Sequence, residues 1–482
     1  MASTSTISSL GVGSGIDAES IVTKLVALES QPITQLKTEA SKVQSKISAY
    51  GKIQSAVSDL QSAARKITSV DTWGATTASS SDATAVTAST SSGAQTGSYS
   101  VVVNSLAKPQ SVVSNSYMSS SSAALGASGT LTIELGSWSG STFSAGSSSV
   151  NVSVAATDTL ETIRDKINKS SSGVKATIIT DSSGSRLVMQ SATTGASNGF
   201  RITAADGDGN NTDDSGLSTF AYAPDSATSG TTLTQSASDA SATINGVAVT
   251  STTNTLSEVV TGLTLTLSKA SSTATTITVG QDNDSITSAL QDFATKYTAL
   301  SDLLRSNTKY DESTKTAGTL QGDSGAVSIL NQMRAIVGGS TSASSTFTTL
   351  SSIGLEVQSG GGLTVNASKL KSALNNLPEV KKLLANSDSS DPTKDGIGTR
   401  MRTLTSTVLD LEGTLTTRTK GLNATLNDNS KRQEQMQSRV DLYEKRLRAQ
   451  YSALDTAMAK LTSNSNYVTQ MITSLNKSSS SS

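Results

Sequence analysis

An acidic stretch between residues 206 and 214 has the residue types that come nearest to a metal site. Its sequence is DGDGNNTDD, and its candidate oxygen ligands are Asp206, Asp208, Asn210, Asp213 and Asp214. This spacing partly matches the oxygen-ligand pattern of a calcium-binding loop, but the bidentate glutamate that should close such a loop is missing. We therefore predict a solvated polar loop at this position and no metal site.

The sequence offers few residues for catalysis, because it contains neither histidine nor cysteine. The missing histidine removes the commonest general base and the commonest metal ligand. The missing cysteine removes thiolate metal sites, disulfides and cysteine nucleophiles. Paired carboxylates could act as in a glycosidase, but such sites lie in deep, usually aromatic-lined clefts, and the chain has only two tryptophans and five phenylalanines. We predict no enzymatic activity, no catalytic residue and no cofactor.

Two further motifs have ordinary structural explanations. The glycine-rich segment 11–15 (GVGSG) is similar to a phosphate-binding loop, but no strand precedes it, so a flexible lead-in to a helix is expected. The basic run near the C-terminus is interrupted by acidic residues and lacks an aromatic platform, so nucleic-acid binding is not predicted. A solvated coiled-coil flank or intersubunit ion pairs explain it better. The run consists of Arg432, Arg439, Lys445, Arg446 and Arg448.

Length and composition describe a multidomain chain with much surface. The 482 residues allow two to four domains, and the net charge of −1 predicts no broad attraction to nucleic acid or anionic lipid. Hydrophobic residues make up 35% and aromatic residues 3% of the chain, which favours slender domains. No apolar run is long enough to cross a bilayer, and the N-terminus lacks the features of a cleavable signal peptide. We expect no membrane insertion.

The C-terminal region carries the clearest structural pattern of the sequence. Apolar residues recur there at a strict seven-residue spacing, which predicts a coiled-coil helix. A helix over this region would be roughly 60 Å long, so its apolar stripe needs a partner. The stripe consists of Val440, Leu447, Leu454, Leu461, Val468 and Leu475, with Met436, Tyr443, Ala457 and Met471 at interleaved positions.

A second heptad stripe lies near the N-terminus and is the expected partner. Pro32 interrupts the helical pattern, because proline suits a first helical turn and not a helix interior. The stripe after Pro32 consists of Leu36, Val43, Tyr50, Val57 and Ala64, joined by Ala40, Ile47, Ile53, Leu60 and Ile67. Gln450 and Asn464 occupy seam positions of the C-terminal stripe. Either they fix its register, or the segment stays mobile until it docks on other subunits.

The region between the two stripes alternates in polarity from about residue 76 to residue 280, which predicts strands. A capping-box pattern at Asp158 to Glu161 predicts one short helix, and Asn245-Gly246 predicts a tight hairpin turn. Helical spacing returns at Ile286 and continues through Leu304. The predicted fold class is α+β and multidomain, with long terminal coiled-coil helices, a helical domain and inserted β-rich domains.

Several segments in this order resemble the flagellar filament cap family, also called the hook-associated protein 2 family. The resemblance spans nearly the whole chain and is weakest in the central loops. It is carried by Gly13 to Asp17, Ile21 to Leu25, Glu29 to Leu36, Gly97 to Ala107, Thr159 to Asn168, Ser172 to Ala176, Ile244 to Gly246, Asn254-Thr255, Thr261 to Leu265, Gly318 to Asp323, Ile353 to Leu355 and Glu444 to Asp455.

The resemblance implies the same layout as the segmentation, with two β-rich domains inserted between helical halves. The terminal domain would combine a flexible and coiled-coil part at the N-terminus with the C-terminal helix. We assign residues 1–42 and 436–482 to the terminal domain, 43–75 and 281–435 to the helical domain, 76–128 and 236–280 to the inner β-rich domain, and 129–235 to the outer β-rich domain.

The implied function is a structural, chaperone-like cap at the tip of the flagellar filament. Such a cap retains exported flagellin, promotes its folding and insertion, and is needed for filament elongation and motility. The implied partners are further copies in a ring, flagellin, hook–filament junction proteins, and an export chaperone on the C-terminal helix. The expected location is extracellular. The residues expected at coiled-coil or oligomer interfaces are Leu36, Val43, Ile47, Tyr50, Val440, Tyr443, Leu447, Leu454, Leu461 and Val468.

Two other interpretations stay open at this point. Flagellin and hook–filament junction proteins also have heptad termini around a β insertion, although the residues around Pro32 and Tyr451 favour the cap. A Ser/Thr-rich surface adhesin fits the composition but leaves the paired stripes unexplained. Because Pro32 interrupts the N-terminal stripe, we expect the segment from Leu454 to Leu475 to lack a partner. We also expect it to become helical only against neighbouring subunits.

Overall fold

The computed structural model describes residues 17–115, 118–226, 228–313 and 315–479. The glycine-rich segment 11–15 lies outside the described residues. The chain divides into two units, one made of Met1–Trp73 with Ile286–Ser482 and the other of Gly74–Ser285. The first unit is largely helical, and the second consists mainly of strands.

The helices of the described chain differ greatly in length, and the longest is the last. In chain order they are α1 (Ala18–Glu29), α2 (Gln31–Thr68), α3 (Val70–Trp73), α4 (Leu160–Lys169), α5 (Asn283–Thr308), α6 (Ser324–Gly338), α7 (Ala367–Ala373), α8 (Leu377–Ala385), α9 (Ile397–Leu409) and α10 (Thr414–Ser479).

Local signals explain where the first helices begin. The Asp17 carboxylate accepts a hydrogen bond from the Ser20 amide at 3.0 Å, which is the contact expected of a helix N-cap. Ser30 separates α1 from α2, and Pro32 stands in the first turn of α2, where its missing N–H leaves no bond unmade. Pro32 therefore marks the start of a new helix.

The helical unit has one extended apolar core. Helix α2 contributes Tyr50, Ile53 and Leu60, and α5 contributes Phe293 and Tyr297. Side chains of α3, α6, α7, α8, α9 and α10 also belong to this core. The helical face predicted from Ile286 to Leu304 is confirmed, because its apolar residues on α5 are buried.

The β-rich unit contains two separate apolar cores between sheets. Pairs of antiparallel strands form all the longer ladders of the described chain. The strands are β1 (Thr76–Ser80), β2 (Val86–Thr90), β3 (Gly97–Ser105), β4 (Ser111–Ser114), β5 (Gly129–Ser139), β6 (Thr142–Val154), β7 (Val174–Asp181), β8 (Gly184–Ser191), β9 (Gly199–Asp206), β10 (Tyr222–Ala223), β11 (Thr228–Ser229), β12 (Thr231–Gln235), β13 (Ala240–Ile244), β14 (Val247–Ser251), β15 (Thr255–Val260), β16 (Leu263–Leu267) and β17 (Ser271–Gln281), with the short β18 (Tyr310–Asp311), β19 (Thr316–Ala317), β20 (Leu355–Val357) and β21 (Leu363–Val365) in the helical unit.

One of the two cores lies between a five-stranded sheet in the order β1-β17-β3-β13-β14 and a three-stranded sheet in the order β15-β16-β2. The predicted turn at Asn245-Gly246 joins β13 to β14. Both residues have positive φ angles, 47° and 86°, as a type I′ turn requires. This confirms the hairpin.

The other core lies between sheets in the orders β11-β10-β9-β5-β6 and β12-β4-β8-β7, together with α4. Helix α4 begins with reciprocal hydrogen bonds between Thr159 and Thr162, so the capping box involves a threonine where the prediction used an acidic residue. Val112 of β4 belongs to this core. Strand β4, which we assigned to the inner β-rich domain, pairs with β8 and β12.

Candidate assembly surface on the terminal helices

Helix α10 lies antiparallel to α2 and then to α1, and polar contacts mark successive levels along it. Near the body of the helical unit, Tyr50 and Arg418 both bind Asp323. Farther out, Asn429 bonds to the Leu36 carbonyl. The outermost levels are the ion pairs of Glu29 with Arg439 and of Glu19 with Arg448. The positions rise along α10 as they fall along α2 and α1, which establishes one continuous antiparallel pair.

The level nearest the body is a buried carboxylate with two partners. The Tyr50 hydroxyl donates to Asp323 at 2.6 Å, and the Arg418 guanidinium donates at 2.8 and 3.0 Å. Burial alone would raise the pKa of Asp323, but hydrogen bonds from Tyr50 and Arg418 hold it below its ordinary value. Burial and the neighbouring Asp323 raise the pKa of Tyr50. Asp323 also caps α6 through the Gly325 amide, so one side chain connects α2, α6 and α10.

Asn429 is a buried polar residue in the seam between α2 and α10, and the sequence analysis missed it. Its side-chain amide donates to the Leu36 carbonyl at 3.1 Å, and Gln433 donates to its oxygen at 2.6 Å. The predicted seam polar residues Gln450 and Asn464 are both exposed. The heptad spacing runs back from Met436 through Asn429 and Leu422 to Leu415, a signal that was available in the sequence.

The outermost levels are ion pairs within one chain. The Arg448 guanidinium donates to both carboxylate oxygens of Glu19, at 2.7 and 2.8 Å, and its Nε donates to Glu444. The hydrogen bonds that Arg448 donates to the carboxylates of Glu19 and Glu444 raise its pKa. The Arg446 guanidinium lies 5.4 Å from the Tyr443 ring centroid. Part of the predicted basic run therefore serves intrachain contacts.

The predicted interface residues fall into three groups by exposure. Tyr50, Val440 and Leu447 are buried in the helix pair. Leu36, Val43, Ile47 and Tyr443 are half-buried on it. The remaining three, Leu454, Leu461 and Val468, are 44%, 61% and 53% exposed. The structure thus brings seven of the ten together and leaves three without a partner within the described chain.

Two details of the expected pairing need correction. Pro32 does not end the pairing, because α1 continues it past Ser30 as far as Arg448. In addition, the segment after Leu454 is helical through Ser479, whereas we expected it to be helical only against neighbouring subunits. An α-helix satisfies its backbone hydrogen bonds internally, so it can form while its apolar face stays uncovered.

The uncovered part of α10 is an apolar stripe that continues the heptads of the covered part. We call Leu454, Leu461 and Val468 the docking stripe. Tyr467, Met471 and Ile472 are also exposed beside it. Exposed apolar surface of this extent, on a helix of regular heptads, is typical of an interaction site.

The acidic loop has a structural role in the described chain. One Asp206 carboxylate oxygen accepts from the Leu217 and Ser218 amides at 2.5 and 2.9 Å, and the Asp206 amide donates to Asn211. Within the described residues, no group of three or more acidic side chains is placed to hold a metal ion. A search of the same residues finds no helix of the length and hydrophobicity that a membrane span requires.

Models of known families match most of the sequence. The flagellar hook-associated protein 2 N-terminus matches residues 14–110, and the corresponding C-terminus matches residues 237–463. The flagellin hook IN motif matches residues 130–193, where β5 to β8 and α4 lie. Flagellar hook-associated protein 2 of Escherichia coli K12 is 31% identical over 96% of this chain and 97% of its own length. The chain belongs to the flagellar hook-associated protein 2 family.

Other members of the hook-associated protein 2 family agree with this assignment. The Salmonella typhimurium protein is 30% identical over 98% of this chain and 99% of its own length. The crystal structure of the D1-D2-D3 domains of the Escherichia coli flagellar cap protein FliD is similar at a TM-score of 0.60 and 29% identity. The structural match covers 78% of this chain and 99% of the FliD chain. The flagellin, junction-protein and adhesin interpretations are therefore not favoured.

Proposed function

We propose that this protein is an extracellular filament cap that assembles as a ring at the tip of the flagellum. In this function it retains exported flagellin and promotes the folding and insertion of each new subunit, so that the filament elongates. Family membership supports the location, and one structural observation supports the mode of action. That observation is the docking stripe, whose three apolar side chains are exposed in the described chain.

The proposed mechanism is binding and conformational gating without covalent chemistry. The body of the helical unit holds α10 through Asp323 and Asn429, so the docking stripe lies on a helix whose base is fixed. The side chains of the stripe would bury against apolar heptads of neighbouring copies, flagellin or hook–filament junction proteins. Apolar burial is non-directional, which suits a surface that must release one partner and accept another.

The uncovered stripe also needs protection before assembly. We propose that an export chaperone covers the C-terminal helix before the protein leaves the cell, and that export needs no cleavable signal peptide. The chaperone would present an apolar groove, the usual partner of an amphipathic helix.

Electron microscopy of the purified protein, combined with an assembly assay, tests the proposal. We expect small closed rings, and we expect added protein to promote flagellin polymerisation on cap-less filaments. Long filaments made of this protein alone would instead indicate a flagellin-like subunit. Deletion of the gene should abolish swimming and release monomeric flagellin into the medium, whereas normal swimming would contradict the proposal.

Substitution of the docking stripe separates assembly from folding. The variant Leu454→Asp with Leu461→Asp removes apolar surface that is already exposed. Its free energy of unfolding should therefore match that of the parent within about 0.5 kcal/mol. Its elongation activity on cap-less filaments should be lost. Ser452→Asp with Ser463→Asp, at exposed positions of the same helix, is the matched control and should keep that activity. Full activity of the leucine variant would rule out the stripe as the assembly surface.

A further inference from the structure

Helix α1 is held to the rest of the helical unit by few buried side chains. Only Ala18 and Val22 of α1 are buried, and Leu28 on the same helix is 61% exposed. With 12 residues, α1 is near the lower limit for a helix that is stable alone in water. Its stability therefore depends on the contacts with α10, and few of those contacts must break for it to leave.

Ser30 forms the joint between α1 and α2, and its backbone is in the right-handed helical region. It is the single residue between the two helices. Pro32 disfavours a continuous helix across this joint, because it lacks the N–H that would bond to the Leu28 carbonyl. On the other side of the joint, α2 is held by Asn429 and by the bond between Tyr50 and Asp323. The joint thus separates a loosely held helix from a firmly anchored one.

The α10 residues that α1 covers continue the heptad spacing of the docking stripe. Val440 and Leu447 are 3% and 8% exposed where α1 lies against α10, and Leu454 one heptad farther is 44% exposed. The departure of α1 would extend the open apolar stripe back to Val440. The uncovered residues would then need another helix with the surface chemistry of α1.

The charges beside the covered part of α10 specify which helix could replace α1. Arg448 and Arg439 flank the covered stripe and pair with Glu19 and Glu29 of α1. A replacement must therefore present small apolar residues between two carboxylates at the spacing of Glu19 and Glu29. The α1 helix of a second copy meets this requirement by identity, which is the physical basis of domain swapping.

We infer that α1 is exchanged between neighbouring copies in the assembled ring, so that α1 of one copy lies on α10 of the next. This inference rests on the proposed function, because it requires an oligomer. It gives the ring a connection that uses contacts already present in the single chain. It also leaves the docking stripe free for flagellin or another partner.

The chain contains no cysteine, so single cysteine variants can test the exchange. Chains carrying Glu19→Cys are mixed as monomers with chains carrying Arg448→Cys, assembled, and treated with a bismaleimide whose span tolerates small differences in geometry. We expect covalent heterodimers in the assembled fraction, at several times the yield from monomers kept apart by dilution. The pair Glu29→Cys and Arg439→Cys should give the same result independently.

A matched mixture controls for random collisions. Asp59 and Lys296 form an ion pair at 3.1 Å within the body of the helical unit, where no exchange is expected. A mixture of Asp59→Cys and Lys296→Cys chains should give only background heterodimers. Rings that form with heterodimers at this background level would overturn the exchange and leave the proposed function standing. If no ring forms, the proposed function fails, and the exchange fails with it.

Discussion

Asp323 is the residue on which the base of the terminal helix pair depends. Its carboxylate is almost fully buried, yet it stays ionised because Tyr50 and Arg418 donate to it. We expect Asp323→Ala to lower the free energy of unfolding by about 2 kcal/mol, since it leaves the buried Tyr50 hydroxyl without an acceptor. Chemical denaturation monitored by circular dichroism measures this loss. Tyr50→Phe, which removes only the hydroxyl, should cost about 1 kcal/mol. An unchanged midpoint for Asp323→Ala would contradict the assignment.

Glu379 of α8 gives a prediction about acid stability. Hydrogen bonds from Lys382 and from Ser344 and Ser345 lower the pKa of Glu379 from 4.5 to about 2. A carboxylate whose pKa is lowered by folding stabilises the native state above the unfolded pKa. That contribution disappears as the pH falls through the folded pKa.

The stabilisation by Glu379 should therefore be complete above about pH 4.5 and should vanish towards about pH 2. Glu379→Gln should lower the melting temperature at pH 6, and the difference from the parent should disappear near pH 2. Thermal unfolding across this pH range checks the sign. Glu312→Gln is the control, because that carboxylate is exposed. A difference that persists unchanged at pH 2 would be inconsistent with an ionic role.

At the scale of elements, Asn429 places a polar side chain in the interface between α2 and α10, and this lowers the stability of the helix pair. We expect Asn429→Leu with Gln433→Leu to raise the free energy of unfolding of the helical unit by about 1–2 kcal/mol, because apolar side chains then fill the seam. Calorimetry of the whole chain measures the change, and the transition of the β-rich unit should not move. Asn429→Ala, which leaves a gap, should not stabilise the unit.

Hydrophobic periodicity was enough to predict the helices but not the tertiary contacts between them. The heptads from Val440 to Leu475, the proline break at Pro32 and the helical face from Ile286 to Leu304 follow from local spacing, and local spacing is visible in one sequence. The contact of Asp323 with Arg418 depends on three helices, so it has no local signal. The sequence analysis also did not predict that α10 begins at Thr414.

The candidate surface was predictable only in part, because a single sequence shows local spacing but not contacts between distant residues. Heptad spacing identified Leu454, Leu461 and Val468 as a stripe, and the interruption at Pro32 indicated that this stripe would extend beyond its partner. The pairing of α1 with α10 could not be read from the sequence, because it depends on ion pairs between Glu19 and Arg448 across most of the chain. The residues on either side of those positions carry no pattern that specifies the pair.

At the scale of the whole molecule, the uncovered end of α10 should differ in dynamics from the covered part. Most of residues 454–475 are exposed in the described chain, so their amides should exchange with solvent orders of magnitude faster than those of residues 415–447. Hydrogen exchange of the monomer, read by mass spectrometry, tests this. Assembly into rings on filaments should slow the exchange of residues 454–475 if the docking stripe becomes buried. Equal protection of both segments in the monomer would contradict the prediction.

The contact between Glu19 and Arg448 joins positions that are 429 residues apart. The pairing of α1 and α2 with α10 therefore cannot close before almost the whole chain is present, and loop closure over such a distance delays folding. Residues 74–285, whose contacts lie within their own unit, face no such delay. A chain delivered from its N-terminus would thus acquire its β-rich unit first, and its two ends would join as the last event of folding.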